Sequence, residues 1–218
     1  MKRRALLGTA LSSLLLSACV YGKNFDLEWD EEVQLHDGRT IVVHLKYTYR
    51  RLYQGLTPYS GTNQPLDTTL SFDAGIPTGV VTQWFKGFLP MFLGQYDGVW
   101  YAVLYGNYYD DSRKVPGQDW GEMEGPYGQW AIKLIDGAWK PISMAELPSV
   151  FQTPNVLMLY GSAQEHADFA GHRVTLQDKA NWLEKHPLGY ADVRLTRPTA
   201  SSIQRQGTAS PAPPGASK

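Results

Sequence analysis

Two histidines and an aspartate in the C-terminal half are the residues best suited to hold a metal ion. They are His166, Asp168 and His172, within the stretch "EHADFAGH". If this stretch is a strand, His166 and Asp168 point to the same side, and Gly171 can turn His172 back towards them. Imidazole and carboxylate groups suit zinc, although a fourth ligand would have to come from elsewhere. Ordinary polar surface residues explain the three side chains at least as well.

A run of three acidic residues near the N-terminus, Asp30, Glu31 and Glu32, offers the carboxylates that a hydrolase uses. Glu31 is the candidate catalytic group, because a carboxylate buried beside a cleft acquires a raised pKa. A second carboxyl would lie about 6.5–9.5 Å away in an inverting glycosidase and about 5–5.5 Å away in a retaining one. The alternative is that Glu31 lies at a strand end or a bulge, without a catalytic role.

A long polar and glycine-rich segment carries four aromatic rings, those of Tyr108, Tyr109, Trp120 and Tyr127. Long loops in a compact domain are usually functional or disordered. Exposed rings beside Asp110, Asp111 and Glu122 would suit stacking on the sugars of a glycan, or contact with a protein partner. The other interpretation is that the rings fold back and cover one end of a sheet.

Other common catalytic and nucleotide-binding patterns do not occur in the sequence. Gly161-Ser162 lacks the second glycine of the G-x-S-x-G nucleophile turn. No glycine-rich phosphate loop of the Walker or dinucleotide type occurs either. We therefore expect neither a serine nucleophile nor a cofactor.

The only cysteine, Cys19, follows a leader with three parts. Basic residues occupy positions 2–4, an uncharged run covers 5–16, and small residues occupy 17–18, which is the layout of a secretory signal peptide. The uncharged run has 12 residues. A helix that crosses a membrane needs about 20 apolar residues, so this leader predicts export and not a membrane span.

The sequence Leu16-Ser17-Ala18-Cys19 resembles the lipobox of bacterial lipoprotein precursors. The resemblance covers the first 19 residues. It implies that the signal is cut before Cys19, that the thiol receives a diacylglyceryl group and that the new N-terminus is acylated. Each buried methylene contributes about 0.8 kcal/mol, so two or three chains would hold the protein on a bilayer. The alternatives are a buried core cysteine and an ordinary secretory signal.

The residue after the cysteine predicts which membrane is occupied. In lipoproteins, an aspartate at this position tends to retain the protein at the inner membrane, whereas here it is Val20. The resemblance therefore implies the outer membrane of a Gram-negative envelope, with the domain facing the periplasm.

The composition of the chain excludes one class of partner and indicates where the folded domain begins and ends. Removing residues 1–18 removes three cations and moves the formal net charge from -1 to -4. A chain of that charge has no electrostatic basis for binding nucleic acid. We expect a lipidated linker over 19–23 and a single domain over 24–197. The tail over 198–218 is rich in Pro, Ser and Ala, and we expect it to be disordered.

The alternation of apolar residues predicts the first hairpin and its register. Apolar side chains fall mainly on odd positions in 25–35 and 41–49, as in half-buried strands. A three-residue loop at 36–38 brings these faces together and puts Gly38 in the left-handed position. The resulting pairs are Glu28 with Lys46, Asp30 with His44, and Glu31 with Val43. The stretch "WDEEVQLHDGR" resembles the start of uncharacterised proteobacterial proteins, and that resemblance implies no activity.

Further strands follow from turns and apolar runs. Asp-Gly pairs at 97–98 and 136–137 predict two more hairpins, and the wholly apolar stretch 99–106 predicts a central strand. We also expect strands over 68–73, 80–85 and 190–195.

One helix is predicted on the C-terminal side. Thr175 is its cap, Asp178 follows three residues later, and Leu176, Ala180 and Leu183 line one face before Pro187. Ser143 and Glu146 predict a single helical turn, because Pro148 follows. The fold class is mainly β: antiparallel hairpins that form a sandwich or a partly open barrel, with one C-terminal-side α-helix.

These features predict a membrane-anchored envelope lipoprotein with a binding or structural role. Its predicted partners are the lipid bilayer, through acylated Cys19, and an envelope glycan or a protein. The alternative function is a cell-envelope hydrolase that uses a carboxylate or a metal site.

Overall fold

A computed structural model describes residues 24–52, 62–106, 128–186 and 195. Within these ranges the protein is mainly β, as predicted, with nine strands and two α-helices. The strands are β1 (Asn24–Gln34), β2 (Thr40–Leu52), β3 (Thr62–Asp73), β4 (Val80–Lys86), β5 (Phe88–Tyr96), β6 (Val99–Gly106), β7 (Gln129–Ile135), β8 (Ala138–Ile142) and β9 (Arg173–Val174). The helices are α1 (Ala163–Phe169) and α2 (Leu176–Lys185).

The strands form two sheets. The first sheet has the order β4-β3-β2-β1-β9, and the second has the order β5-β6-β7-β8. Neighbouring strands are antiparallel except for the short β9, which runs parallel to β1. β6 lies inside the second sheet, as its apolar sequence predicted. The two sheets share one core, in which the ring centroids of Phe72 and Trp100 are 4.7 Å apart.

The first hairpin confirms the predicted register. Leu35 pairs with Arg39 across a three-residue loop, since the Leu35 N–H donates to the Arg39 carbonyl at 2.8 Å. Gly38 has a φ of +87°, the left-handed conformation that this loop requires. Glu28 lies opposite Lys46, Asp30 opposite His44 and Glu31 opposite Val43.

The two other Asp-Gly turns form the predicted hairpins. Tyr96 pairs with Val99 and Ile135 with Ala138, so each loop has only two residues. The φ angles are +48° and +75° at the first turn and +52° and +76° at the second. Two successive positive φ angles define the type I′ turn, whose twist matches that of the flanking strands.

The helices differ in part from the prediction. α2 has the expected capping box, in which Thr175 and Asp178 satisfy each other's backbone N–H groups. Its buried residues are Lys179 and Trp182. Of the predicted face, Leu183 packs against the core and Leu176 is half-buried, whereas Ala180 is exposed. α1 was not predicted as a helix, although Ser162 and Glu165 form a second capping box there.

The single turn at Met144–Glu146 is confirmed as a 3-10 turn capped by Ser143. Of the strand predicted at 190–195, only Leu195 is described, where its N–H donates to the Gln152 carbonyl at 3.2 Å. Among the described residues, neither helix is long and apolar enough to cross a membrane.

Candidate functional site

A buried segment without strand pairing, residues 155–161, crosses the inner side of the first sheet. Val156, Leu157, Met158 and Leu159 are all buried there. The N–H groups of Asn155 and Val156 donate to the Met91 carbonyl of β5, at 3.1 Å and 3.2 Å, and side chains satisfy backbone groups further along. The Tyr47 hydroxyl donates to the Leu157 carbonyl at 3.1 Å, and the Tyr49 hydroxyl donates to the Leu159 carbonyl at 2.7 Å. Such pairing is needed because buried backbone groups without partners are costly.

Glu31 holds the same segment from the middle of β1. Its carboxylate is fully buried, at 0% exposure. One oxygen, Oε1, accepts from the Leu157 N–H at 3.0 Å, and the other, Oε2, accepts from Trp29 Nε1 at 3.1 Å. The charge of Glu31 is balanced by Lys179, whose Nζ lies 2.6 Å from Oε1.

Lys179 reaches this carboxylate from α2 and is itself nearly enclosed, with a side chain that is 10% exposed. Its ammonium group also donates to the Glu32 carbonyl at 3.0 Å and to the Asn155 carbonyl. An ammonium group has three hydrogens, and these three acceptors match them. Because both charges are internally paired and closed off from solvent, the arrangement gives Glu31 a structural role.

Burial also fixes the protonation state of the two tyrosines whose hydroxyls contact the segment. Burial, together with the nearby carboxylates of Glu31 and Glu165, holds the pKa of Tyr47 well above its usual range. Burial likewise raises the pKa of Tyr49, with contributions from Tyr47 and Glu165. Both hydroxyls therefore stay protonated and act as donors throughout the physiological pH range.

The other acidic side chains of β1 are paired on the outer face of the sheet. His44 contacts Asp30 at 2.9 Å through Nδ1 and Glu28 at 3.1 Å through Nε2. Lys46 lies opposite Glu28, as predicted, but its ion pair is the diagonal one with Asp26, at 3.0 Å. These contacts support the structural interpretation of the acidic run.

The last member of that run, Glu32, faces β9 and α2. Its Oε1 accepts from Arg173 Nη2 at 3.0 Å, and its Oε2 accepts from the Leu176 N–H at 3.3 Å. A carboxylate at this position also stabilises the N-terminus of α2 through the helix dipole.

The histidine–aspartate set does not assemble as the sequence suggested. The strand assumed for it was wrong, because His166 and Asp168 lie on α1, where a spacing of two residues puts side chains on different faces. The His166 ring is 6.4 Å from the Phe25 ring, while the Asp168 carboxylate accepts from Gln164 at 2.9 Å. His172 contacts the carbonyl of Asp168, at 3.1 Å, and not its carboxylate. Within the described ranges, no three His, Cys, Asp or Glu side chains are grouped to hold a metal ion.

An open groove of about 640 Å³ lies beside α1, β9 and α2 and is a candidate binding surface. Its polar lining includes Gln164, Asp168, His172, Arg173, Asn181 and Lys185. The Nδ1 atoms of His172 and His186 face the carbonyls of Asp168 and Trp182 at 3.1 Å and 3.0 Å. A carbonyl only accepts, so Nδ1 is the donor in both contacts.

The aromatic floor of this groove is largely closed. Trp182 is buried, and the His186 ring stacks on it with the centroids 3.7 Å apart. Phe169 packs against the Trp182 ring edge-on, at 4.8 Å. The groove therefore offers polar and charged groups of both signs, and its tryptophan is already covered by other rings.

Several predicted site residues lie outside the described residues. These are the lipidation site Cys19 and the four rings of the aromatic segment, Tyr108, Tyr109, Trp120 and Tyr127. Lys179 is the residue that the sequence reasoning missed. The available signal was Glu31 itself, because a carboxylate placed on the apolar face of a strand needs a buried cation.

No known protein family, curated protein or solved structure matches this chain. Its function is therefore inferred from its own residues and contacts.

Proposed function

We propose that this protein is a lipoprotein of the bacterial cell envelope, tethered to the outer membrane through acylated Cys19, whose domain binds an envelope glycan or a protein partner. The observation that carries the proposal is the lipobox-like sequence Leu16-Ser17-Ala18-Cys19, after a basic and then an uncharged leader. The first described strand begins at Asn24, five residues after the cysteine. Five extended residues span at most about 18 Å, so the tether would keep the domain close to the bilayer.

A binding role is supported by the contacts of the buried ionisable side chains, which are made within the protein. Glu31 and Lys179 neutralise each other and hold the buried segment. Glu165 accepts from the N–H groups of Tyr160 and Ser162 at the start of α1. None of these three ionisable side chains is exposed enough to meet a substrate. Ligand contacts are left to the open groove and to the aromatic segment 108–127, whose composition suits a glycan or a protein surface.

Membrane fractionation tests the tether. The full chain is expressed in a Gram-negative host, and outer-membrane, inner-membrane and periplasmic fractions are separated. We expect the wild-type chain in the outer membrane, Cys19→Ser outside the membranes, and Val20→Asp shifted to the inner membrane. Val20→Ala is the matched control and should behave as wild type. Equal membrane association of wild type and Cys19→Ser would refute the proposal.

Co-sedimentation with purified peptidoglycan, and pull-down from solubilised envelopes, test the binding role. Trp120→Ala should weaken the interaction, because sugar stacking and protein contacts both depend on large ring faces. Tyr96→Ala removes an exposed ring elsewhere in the described structure and serves as the control. Capture that is equal in wild type and Trp120→Ala would exclude the aromatic segment as the binding surface.

A further inference from the structure

Among the described residues, the outer side of β4 is an open sheet edge. β4 is the first strand in the order of its sheet, and β3 is its only neighbour among the described strands. The Ala74 N–H donates to the Gly79 carbonyl at 2.9 Å, and the Gly87 N–H donates to the Leu66 carbonyl at 2.7 Å. Hydrogen-bonded pairs alternate along an antiparallel ladder. The backbone groups of Val80, Thr82 and Trp84 consequently point away from β3.

A side-chain contact supports this assignment of the edge. Gln83 Nε2 donates to the Trp84 carbonyl at 2.7 Å, which requires that carbonyl to face away from β3. The same residues also carry their side chains on the outer face. Val80 is 73% exposed and Trp84 is 37% exposed.

Up to its last residue, β4 lacks the features that normally prevent edge strands from pairing. Natural edge strands carry charged side chains, proline or a bulge. From Val80 to Phe85 the sequence "VVTQWF" has no charge and no proline, and its pairing with β3 is regular. The one charged residue of β4, Lys86, is its last. Valine, threonine and aromatic residues are also those that favour strands. This strand is therefore suited to pair with another.

We propose that β4 pairs with β4 of a second copy of this chain, antiparallel and about a two-fold axis at Thr82, which joins two five-stranded sheets into one. In this register Val80 lies opposite the partner's Trp84, and Thr82 lies opposite the partner's Thr82. All three residues have backbone groups that face the edge, so each pair exchanges two N–H to carbonyl bonds. The partner's Val80 N–H then replaces Gln83 as the donor to the Trp84 carbonyl.

The sequence of β4 favours pairing with β4 of a second copy, and it favours the register centred on Thr82. An isologous contact requires a self-complementary strand, and the Thr82 centre pairs the exposed valine with the exposed tryptophan on both sides. Moving the centre by one residue would place Val80 opposite the partner's Thr82 or the partner's Lys86. With the centre at Thr82, Lys86 instead lies opposite the partner's Thr78, so no like charges meet.

This arrangement is compatible with two tethers in one bilayer. The two-fold axis runs perpendicular to the joined sheet, so Asn24 of each copy lies at the same height along that axis. If the axis is normal to the membrane, both lipidated N-termini reach the same surface. The pairing is nevertheless independent of the tether, and either proposal can fail alone.

Disulfide trapping tests the register. The full chain carries Cys19→Ser, so that an introduced cysteine is the only thiol. Two Thr82→Cys residues would have Cα atoms about 5.5 Å apart, within disulfide range. Ser71→Cys is the matched control, since Ser71 Oγ and Thr82 Oγ1 form one hydrogen bond at 3.0 Å. Its two copies would be three strand spacings apart, roughly 14 Å. Covalent dimer from Thr82→Cys but not from Ser71→Cys is expected, and equal yields would overturn the register.

Light scattering on the full chain in mild detergent tests the pairing itself. Thr82→Pro removes an N–H that faces the edge and leaves the β3 ladder intact, so the fold should persist. Thr82→Val loses the same Ser71 contact but keeps the N–H. We expect dimers for wild type and Thr82→Val, and at least a tenfold weaker dimer for Thr82→Pro with an unchanged circular dichroism spectrum. A monomeric wild type at micromolar concentrations, including one that instead captures another protein, or a dimeric Thr82→Pro, would overturn the proposal.

Discussion

Lys179 Nζ lies 2.6 Å from Glu31 Oε1, and this contact joins α2 to the centre of β1 inside the protein. The same carboxylate accepts the Leu157 N–H, and the same ammonium donates to the Asn155 carbonyl. Three parts of the chain that are distant in sequence therefore meet at one ion pair. The pair adds to the backbone contacts of the segment 155–161, in which the Asn155 and Val156 N–H groups donate to the Met91 carbonyl of β5.

Removing the cation should be severely destabilising. Lys179→Met leaves Glu31 charged and buried without its partner, a change that typically costs about 3–5 kcal/mol. Urea unfolding followed by tryptophan fluorescence measures the difference. Lys185→Met, on an exposed site of the same helix, should lie within about 0.5 kcal/mol of wild type.

The double variant Glu31→Gln/Lys179→Met tests whether the two side chains stabilise the fold as a pair or independently. The amide that replaces the carboxylate keeps an acceptor for the Leu157 N–H or for Trp29, and it carries no charge that needs the lost ammonium. The loss of stability in the double variant should therefore be smaller than the sum of the single losses, with a coupling of about 0.5–3 kcal/mol. Strict additivity would contradict a direct Glu31–Lys179 pair.

The hydroxyls of Tyr47 and Tyr49 should each contribute to the free energy of unfolding. Tyr47→Phe leaves the Leu157 carbonyl without its donor, and Tyr49→Phe does the same to the Leu159 carbonyl. A buried acceptor left without a partner costs about 1–3 kcal/mol. Tyr101→Phe, at a half-buried position of the second sheet, is the control and should change the unfolding free energy much less. Near-zero effects at both Tyr47 and Tyr49 would show that the two hydroxyls do not stabilise the segment.

Two glycines allow the cost of a steric clash to be measured apart from the cost of backbone strain. Gly161 and Gly171 have nearly equal φ angles, +71° and +70°. A Cβ at Gly161 would meet the Tyr49 ring at 2.9 Å, whereas nothing lies within 4 Å of one at Gly171. Gly171→Ala should cost about 1 kcal/mol through strain alone. Gly161→Ala should cost about 2–4 kcal/mol, since overpacking is added. Equal losses in thermal or urea unfolding would place the tyrosine ring elsewhere.

Acid sensitivity should depend on Asp26. Hydrogen bonds from Thr48 and Lys46 hold the pKa of this carboxyl below its usual value. The folded state therefore binds fewer protons than the unfolded state between the lowered pKa and about 3.9. Its contribution to stability is present above that window and is lost as the pH falls through the lowered pKa.

Urea midpoints over a pH series measure this contribution. The midpoint of wild type should exceed that of Asp26→Asn near neutral pH, and the difference should shrink as the pH falls below about 4. Thr48→Val removes the largest cause of the shift and should reproduce much of the change. A constant gap between wild type and Asp26→Asn down to acid pH would exclude this linkage.

Local patterns in the sequence were enough to predict the hairpins. The odd-position apolar series fixed the register of β1 and β2, and Gly38 fixed the length of their loop. Both signals act between residues close in sequence, where turn geometry and strand alternation leave few solutions. The α2 capping box was predictable for the same reason.

The buried ion pair depends on a long-range contact, which the sequence did not reveal. Glu31 and Lys179 are separated by 148 positions. The face predicted for α2 included Ala180, which is exposed, and did not include Lys179, which is buried. β9 was also missed, because a two-residue parallel strand has no alternation to detect. The strand assumed for the candidate metal site at His166, Asp168 and His172 was wrong because the sequence "EHADFAGH" did not distinguish a helix from a strand.

Mass spectrometry of the N-terminal peptide of the natural protein gives the sharpest test of the tether. The prediction is a chain that begins at Cys19, with a thiol-linked diacylglyceryl group and an acylated amino group. An unmodified Cys19 thiol, or a chain that still carries residues 1–18, would contradict it and remove the envelope assignment.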